Sequence, residues 1–321
     1  MKGTSTKINI LTRAIMYHYV RRPNTDLPYF RYLSIENFRK QIRWLLESCY
    51  LPTKDEFFDA CCSRKKWQGT ILTFDDGLLD HYQFVLPILK EHNLWGIFFP
   101  ATGPLQNNHF LDVHRIHLIL GRLGPKKALT ALNQLILPHM FLEHGHSDFQ
   151  SSTYLRQSGD KTSVTFKRLL NYLISDAYKQ EILETLMLES FGESNIPSIG
   201  GFYMNADHIR ELFSNGMVIG AHSVNHPILS QCEEITQEEE IYGSCDYLQS
   251  IIGDPIILFS YPYGVSTAFT GTTRKILKNR GISISFVDEP RDITDSDFQF
   301  QSLAMPRFDC NLFPFGTSSI G

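Results

Sequence analysis

Asp75 and Asp76 stand side by side at the end of the apolar run Thr70-Ile71-Leu72-Thr73-Phe74 and directly before Gly77. Two carboxylates that close do not both ionise cheaply unless a cation or a proton separates them. A second apolar run, Met217-Val218-Ile219, ends in a comparable way, with Gly220 and Ala221 leading into His222-Ser223-Val224-Asn225-His226-Pro227. One carboxylate and two imidazoles make a facial ligand set that leaves positions open for water and substrate, unlike a closed structural site. The pattern predicts a catalytic divalent metal. Taken singly, the aspartates also make a good helix N-cap, and His226 also reads as a hydrogen-bonded core histidine. Together the two motifs supply complementary ligands, and the four-residue spacing puts both rings on one side of a turn.

These residues need a frame that brings distant segments together. Six short apolar runs end in polar residues or glycine: Ala14 to Tyr19, Thr70 to Phe74, Gly96 to Pro100, Met217 to Ala221, Ile256 to Tyr261 and Ile282 to Val287. Helical patterns separate them, at Ser34 to Glu47 with Ser34 as N-cap, Leu79 to Glu91, Asn205 to Ser214, Thr236 to Ile251 and Thr272 to Arg280. Strand and helix in alternation predict a parallel sheet or barrel, with the chemistry gathered at the strand C-termini. Residues 111–200 interrupt the alternation with helical patterns at Val113 to Arg122, Lys126 to Leu137, Val164 to Ser175 and Lys179 to Phe191. The expectation is a single barrel domain over residues 1–321 with a helical insertion at 111–200. In the insertion Ile116, Leu120 and Leu123 read as packing. His144, His146 and Asp148 fall in a polar loop, which is solvated unless it binds a metal. The tail from Phe313 to Gly321 reads as disordered.

Composition narrows the function classes. With 42% hydrophobic and 20% charged residues the chain is globular, and a net charge of −4 without a basic stripe argues against a nucleic-acid partner. No apolar stretch reaches the roughly 20 residues of a membrane helix, and the first ten residues lack the apolar centre of a signal peptide. Six cysteines without a CxxC pair read as free thiols. Those features lead us to expect a cytoplasmic location and no membrane span.

Thr73-Phe74-Asp75-Asp76-Gly77 and His222-Ser223-Val224-Asn225-His226-Pro227 resemble the first two signature motifs of the NodB-like polysaccharide deacetylases, carbohydrate esterase family four. Ser260-Tyr261-Pro262-Tyr263-Gly264 is similar to the family's third. The resemblance covers about Ala14 to Pro100 and Asn205 to Asp309 and leaves the helical insertion unmatched. It implies a distorted (β/α) barrel of the polysaccharide deacetylase type and a metal-dependent hydrolase that removes an N-acetyl group from an amino sugar. The substrate would be a glycan, glycan precursor or nucleotide-linked sugar, in surface polysaccharide metabolism. Another small amide, an O-acetyl ester, or carbohydrate binding without turnover are the alternatives on the same fold.

Carried over by residue, the resemblance implies Asp75 as general base and Asp76, His222 and His226 as ligands of one divalent ion, zinc first, with cobalt, nickel or iron also accepted by such a set. Tyr263 would offer its backbone N–H to the oxyanion, and its motif is equally a tight Pro-Tyr-Gly turn. Tyr19 and Tyr261 are candidate sugar contacts. The chain departs from the family twice, with Ser260 where an arginine is usual and no late His-Asp pair to supply the acid. Met16-Tyr17-His18-Tyr19 is similar to the opening strand of the family's rearranged branch, as in poly-N-acetylglucosamine deacetylases, which implies His18 as general acid. Ala304-Met305-Pro306-Arg307-Phe308 resembles a late Leu-Pro-Arg segment, so that Arg307 either pairs with Asp75 or forms a surface salt bridge. Asp80, His81 and His92 read as surface or supporting residues.

Overall fold

A computed structural model describes residues 11–142 and 160–320. The strands are β1 (Thr12–Tyr17), β2 (Val20–Arg21), β3 (Arg31–Ser34), β4 (Gly69–Asp75), β5 (Ile97–Phe99), β6 (Val218–Ile219), β7 (Leu258–Ser260), β8 (Ile284–Asp288), β9 (Met305–Asp309) and β10 (Ser319–Ile320). Seven of them form a sheet in the order β6-β5-β4-β1-β9-β8-β7, with parallel pairing throughout. A parallel bridge between Ala221 and Phe259 joins the two ends. There Ala221 N–H donates to Leu258 O and Ser260 N–H donates to Ala221 O, each at 2.9 Å, which closes a seven-stranded barrel.

Period-two alternation decides what each strand shows to the interior. Ala14, Ile71, Ile97, Phe99, Leu258, Ile284, Phe286 and Met305 share one buried cluster with Phe57, Trp67 and Phe298. The alternate residues Ile15, Tyr17, Leu72, Phe74, Phe98, Phe259 and Val287 pack against Phe38, Ile42, Leu45, Ile88 and Ile241 from the surrounding helices. Tyr17, Phe74 and Phe98 stack in that outer layer at centroid distances of 5.2 and 4.7 Å. Continuing the inward phase one step up each strand gives His18, Thr73, Asp75, Ser260 and Arg307. The reactive positions are therefore the top layer of the barrel filling, at the strand C-termini.

All six expected strands are present. β9 was not foreseen because Pro306 interrupts its pattern; it is accommodated because the ladder to β1 begins only at Phe308, so that ladder loses no bond to the missing N–H. The expected helices occur at Ile35–Ser48, Ala206–Ser214, Glu234–Ile252 and Gly271–Asn279. Ser34 does cap the first, accepting from Asn37 N–H. The helix expected over Leu79 to Glu91 opens instead with a wider π turn, His81–Val85, before an α-helical Leu86–Glu91. The tail is not disordered as expected over its described residues, since β10 pairs antiparallel with β3.

Between β5 and β6 run the helices Gly103–Asn107, Asp112–Leu123, Pro125–Leu135, Lys161–Arg168 and Asp176–Phe191. The last four of these share a second cluster in which Ile116, Ile119, Leu132, Phe166, Leu183 and Leu186 are fully buried. Leu27, Phe30, Tyr32 and Leu78 contribute to it from outside, so these helices are tied to the β2–β3 region and to the segment after Asp76. His144, His146 and Asp148 lie outside the described residues. No described helix is long and apolar enough to cross a membrane.

Candidate active site

Asp75 and Arg307 meet inside the barrel, both almost fully buried. Nη1 donates to Oδ1 at 2.9 Å and Nη2 to Oδ2 at 2.7 Å, the two-pronged contact that suits a guanidinium and a carboxylate. Ser260, standing where an arginine was expected, donates its hydroxyl to Asp75 Oδ2 at 2.9 Å and accepts from Arg307 Nη2 at 2.8 Å. Thr73 Oγ1 accepts from Nη1 at 3.1 Å and passes its own hydrogen to Ile15 O at 3.0 Å. Arg307 lies 5.9 Å from the centroid of Phe99 and 5.7 Å from that of Phe286, where cation–π attraction offsets some lost hydration. Burial on its own raises the pKa of Asp75; the charges of Arg307 and then His222 outweigh it and hold the group at about 2. Removing the guanidinium by Arg307→Gln should let burial win, so the carboxyl protonates at higher pH. If Asp75 must be ionised to act, the acid limb of kcat/KM then moves upward, and a limb that stays in place in a pH profile contradicts the pairing.

Asp76 follows at φ +76, a left-handed conformation that turns its carboxylate away from the strand direction. Its Oδ1 lies 3.3 Å from His222 Nε2 and 3.7 Å from His226 Nε2. One ligand atom from each of the three residues falls within 4.8 Å of the others, and all three residues are buried. The hydrogen positions favour a cation there. His222 Nδ1 can only donate to the carbonyl of Ser260, at 2.7 Å, so in the neutral ring Nε2 faces Asp76 with a lone pair. Burial, then the His222 charge, drives the His226 pKa down to about 3, so that ring is neutral; against burial, Asp76 and then Asp75 raise the His222 pKa, and a cation would take the place of its Nε2 hydrogen. Asp76 Oδ1 is buried without a hydrogen-bond partner. Lone pairs converging on an orphaned carboxylate oxygen fit a divalent cation.

The loop carrying both histidines is fixed from below. Glu240, on the helix Glu234–Ile252, accepts from Val224 N–H at 2.9 Å and from Asn225 N–H and Nδ2 at 2.7 Å each. Ser223 Oγ accepts from His226 N–H at 3.0 Å. Gly220 lies against the Phe99 ring, where a Cβ would come within 2.3 Å of it, so only glycine lets the strand reach His222. Ser223, His226 and Tyr263 also have positive φ; with Asp76 they are four of the eight such non-glycine residues among those described. Backbone strain of this kind gathers where geometry is imposed for function.

His18 follows β1 at the same mouth, half-buried, and its charge bears on both Asp75 and Asp76. His81 is fully buried and donates from Nε2 to the His18 carbonyl at 2.8 Å, anchoring that residue's backbone. Asp80 is paired with Arg21 at 2.7 Å. Tyr263 places its ring 4.9 Å from that of His226, and its hydroxyl donates to Asn171 Oδ1 at 3.3 Å. Tyr19 is half-buried, with its hydroxyl 3.0 Å from His117 Nδ1 and its ring against Phe30 and Phe202. Tyr261 is a correction: it is 1% exposed, stacked on Phe269 at 3.9 Å and bonded through its hydroxyl to Leu303 O at 2.8 Å. Ser260 occupies the inward phase, so the next side chain must point outward into the helix layer.

One residue at the site was not foreseen. His114, on the helix Asp112–Leu123, is fully buried with Nε2 3.0 Å from Asp76 Oδ2 and Nδ1 2.5 Å from the hydroxyl of Tyr203. No spacing in the sequence ties it to Asp76. The only available signal was a histidine on the buried face of an amphipathic helix. Together with burial, which works the other way, His114 and His222 hold the Asp76 carboxyl well below the usual range.

A closed parallel barrel with titratable residues across its C-terminal mouth is the architecture of a (β/α)-barrel enzyme. Residues 179–285, about a third of the chain, match the sequence profile of the family described as Polysaccharide deacetylase. Solved structures share the whole fold: the Streptococcus pyogenes deacetylase PplD in complex with acetate (TM-score 0.58, 16% identity, 96% of each chain), and IcaB from Ammonifex degensii (0.55, 18%, 94% of this chain and 91% of that one). A de-N-acetylase from Aggregatibacter actinomycetemcomitans is similar at a TM-score of 0.54 and 15% identity, covering 92% of this chain and 93% of that one. No curated protein matches the sequence. The profile match over residues 179–285 and the shared fold make this chain similar to the polysaccharide deacetylases.

Proposed function

We propose that the protein hydrolyses the N-acetyl group of an amino sugar, in a glycan, glycan precursor or nucleotide-linked sugar, releasing acetate and a free amine. The observation that carries this reading is the adjacency of an Asp76, His222 and His226 cluster to an ionised, arginine-held Asp75 at the barrel mouth. Asp76, His222 and His226 would hold one divalent ion, for which zinc is the first candidate. Such an ion acidifies water and polarises an acyl oxygen.

Asp75, kept without a proton by Arg307, accepts the hydrogen of the attacking water, and its weak basicity favours handing that hydrogen on. The backbone N–H of Tyr263 faces the oxyanion as the carbonyl carbon becomes tetrahedral. His18 protonates the departing nitrogen. The described helices between β5 and β6 would serve as the helical insertion expected at 111–200, and Tyr19, packed against the helix Asp112–Leu123, is a candidate contact for the sugar. Acetate release from a panel of N-acetylated monosaccharides, nucleotide sugars and oligosaccharides, abolished by chelation and restored by metal, tests the reading. A metal-loaded, folded protein that releases acetate from none of them, while binding sugar, supports carbohydrate recognition without turnover instead. His18→Ala should slow amide cleavage by about 10²-fold or more and spare an activated aryl ester, whose leaving group needs no proton. Equal losses on both substrates remove His18 from the acid role.

A further inference from the structure

The chain of hydrogen bonds behind Asp76 has a fixed sense. Tyr203 Oη accepts from the backbone N–H of Leu111 at 3.1 Å, so its own hydrogen is available for His114 Nδ1 at 2.5 Å. At the other end an ionised carboxylate can only accept, so His114 Nε2 carries hydrogen and donates to Asp76 Oδ2 at 3.0 Å. Both ends require the same tautomer: Leu111 N–H to Tyr203, Tyr203 O–H to His114 Nδ1, and His114 Nε2–H to Asp76. His114 is not itself among the clustered metal-ligand atoms, which come from Asp76, His222 and His226.

We propose that His114 is a positioning residue that occupies Oδ2 of Asp76 and thereby presents Oδ1 alone to the metal. The inference rests on the metal reading above and assigns the helical segment a part in the site. Oδ1 is the oxygen left without a partner and the one that faces both imidazoles. A carboxylate free to rotate would offer either oxygen, or both, to an ion; one oxygen already bonded restricts it to a single-atom contact in one orientation. Partners of this kind behind a ligand typically contribute about 10- to 100-fold in metal affinity.

His114 and Tyr203 both belong to the second cluster or its border, with the ring of His114 against Phe202 and Tyr203 at 5.3 Å. Packing of the helices between β5 and β6 therefore sets the position of a group that touches the ligand carboxylate.

The test compares wild type, His114→Leu, His114→Gln and Tyr203→Phe as full-length proteins. Zinc affinity is measured by competition with a chromogenic chelator, and the visible absorption of cobalt-loaded protein reports ligand geometry. Leucine should weaken zinc binding by about 10- to 100-fold and alter the cobalt spectrum. Glutamine, whose Oε1 can accept from Tyr203 while Nε2 donates to Asp76, should recover most of both, which a purely structural role would not produce. A folded His114→Leu protein with wild-type affinity and spectrum overturns the proposal. Should leucine prevent folding, Tyr203→Phe decides: it leaves the His114 ring in place but removes the hydrogen that sets its tautomer, and an unchanged affinity and spectrum overturn the proposal. Failure of wild type itself to bind metal removes the underlying site reading, an outcome distinct from a variant that binds as wild type does.

Discussion

Asp75→Asn is expected to lower turnover by about 10³-fold or more while metal content stays at one equivalent per chain. Asparagine keeps the size of the side chain and still accepts one hydrogen bond from Arg307, but it cannot take a proton from water. The guanidinium loses its counter-charge in a site where each group is almost fully buried. Removing one partner of such a pair costs about 3–5 kcal/mol, so the variant should also melt earlier. The informative result is the combination of lost activity and retained metal. Loss of the ion on elemental analysis, with activity gone, would reverse the roles assigned to the two aspartates.

Changing either ring of the ligand set should have the larger effect on binding. In His222→Ala or His226→Ala a three-residue set becomes two, and metal content after dialysis should fall well below one equivalent, with activity falling in proportion. Excess metal should restore little, because the two remaining ligands hold an ion weakly. Full occupancy in either variant, measured on folded protein, excludes that histidine from the set. His222→Ala carries a second expectation, since its ring also donates to the Ser260 carbonyl; it should be less stable than His226→Ala, whose Nδ1 has no partner to lose.

Much of this arrangement was legible because it is local in sequence. The strand runs announce themselves through β-branched and aromatic residues, and Asp75, Asp76, His222 and His226 sit at fixed offsets from their ends. Arg307 was legible only through a resemblance, because no spacing relates residue 307 to residue 75. Their two-pronged contact depends on β9 lying two strands from β4 with β1 between them. β9 itself escaped notice because proline inside a run argues against a strand unless its neighbours along the ladder are known. Tyr261 was misassigned although the means to place it were present: if Ser260 faces inward, an extended chain turns the next residue outward. His114 had no such signal. It acquires meaning only when a helix from one core meets a strand end from another.

The seam of the barrel gives the cluster of Asp76, His222 and His226 a second consequence. β6 and β7 are held together by a single bridge, Ala221 with Phe259, and the next rung above it is a side chain, His222 Nδ1 to Ser260 O. An ion held by Asp76, His222 and His226 would draw only on β4 and on the loop after β6, which lie on one side of that join, while the bond from His222 Nδ1 reaches across it to β7. By steadying the ring that makes this bond, ion binding would favour the closed wall, and its affinity would then add to the stability of the fold.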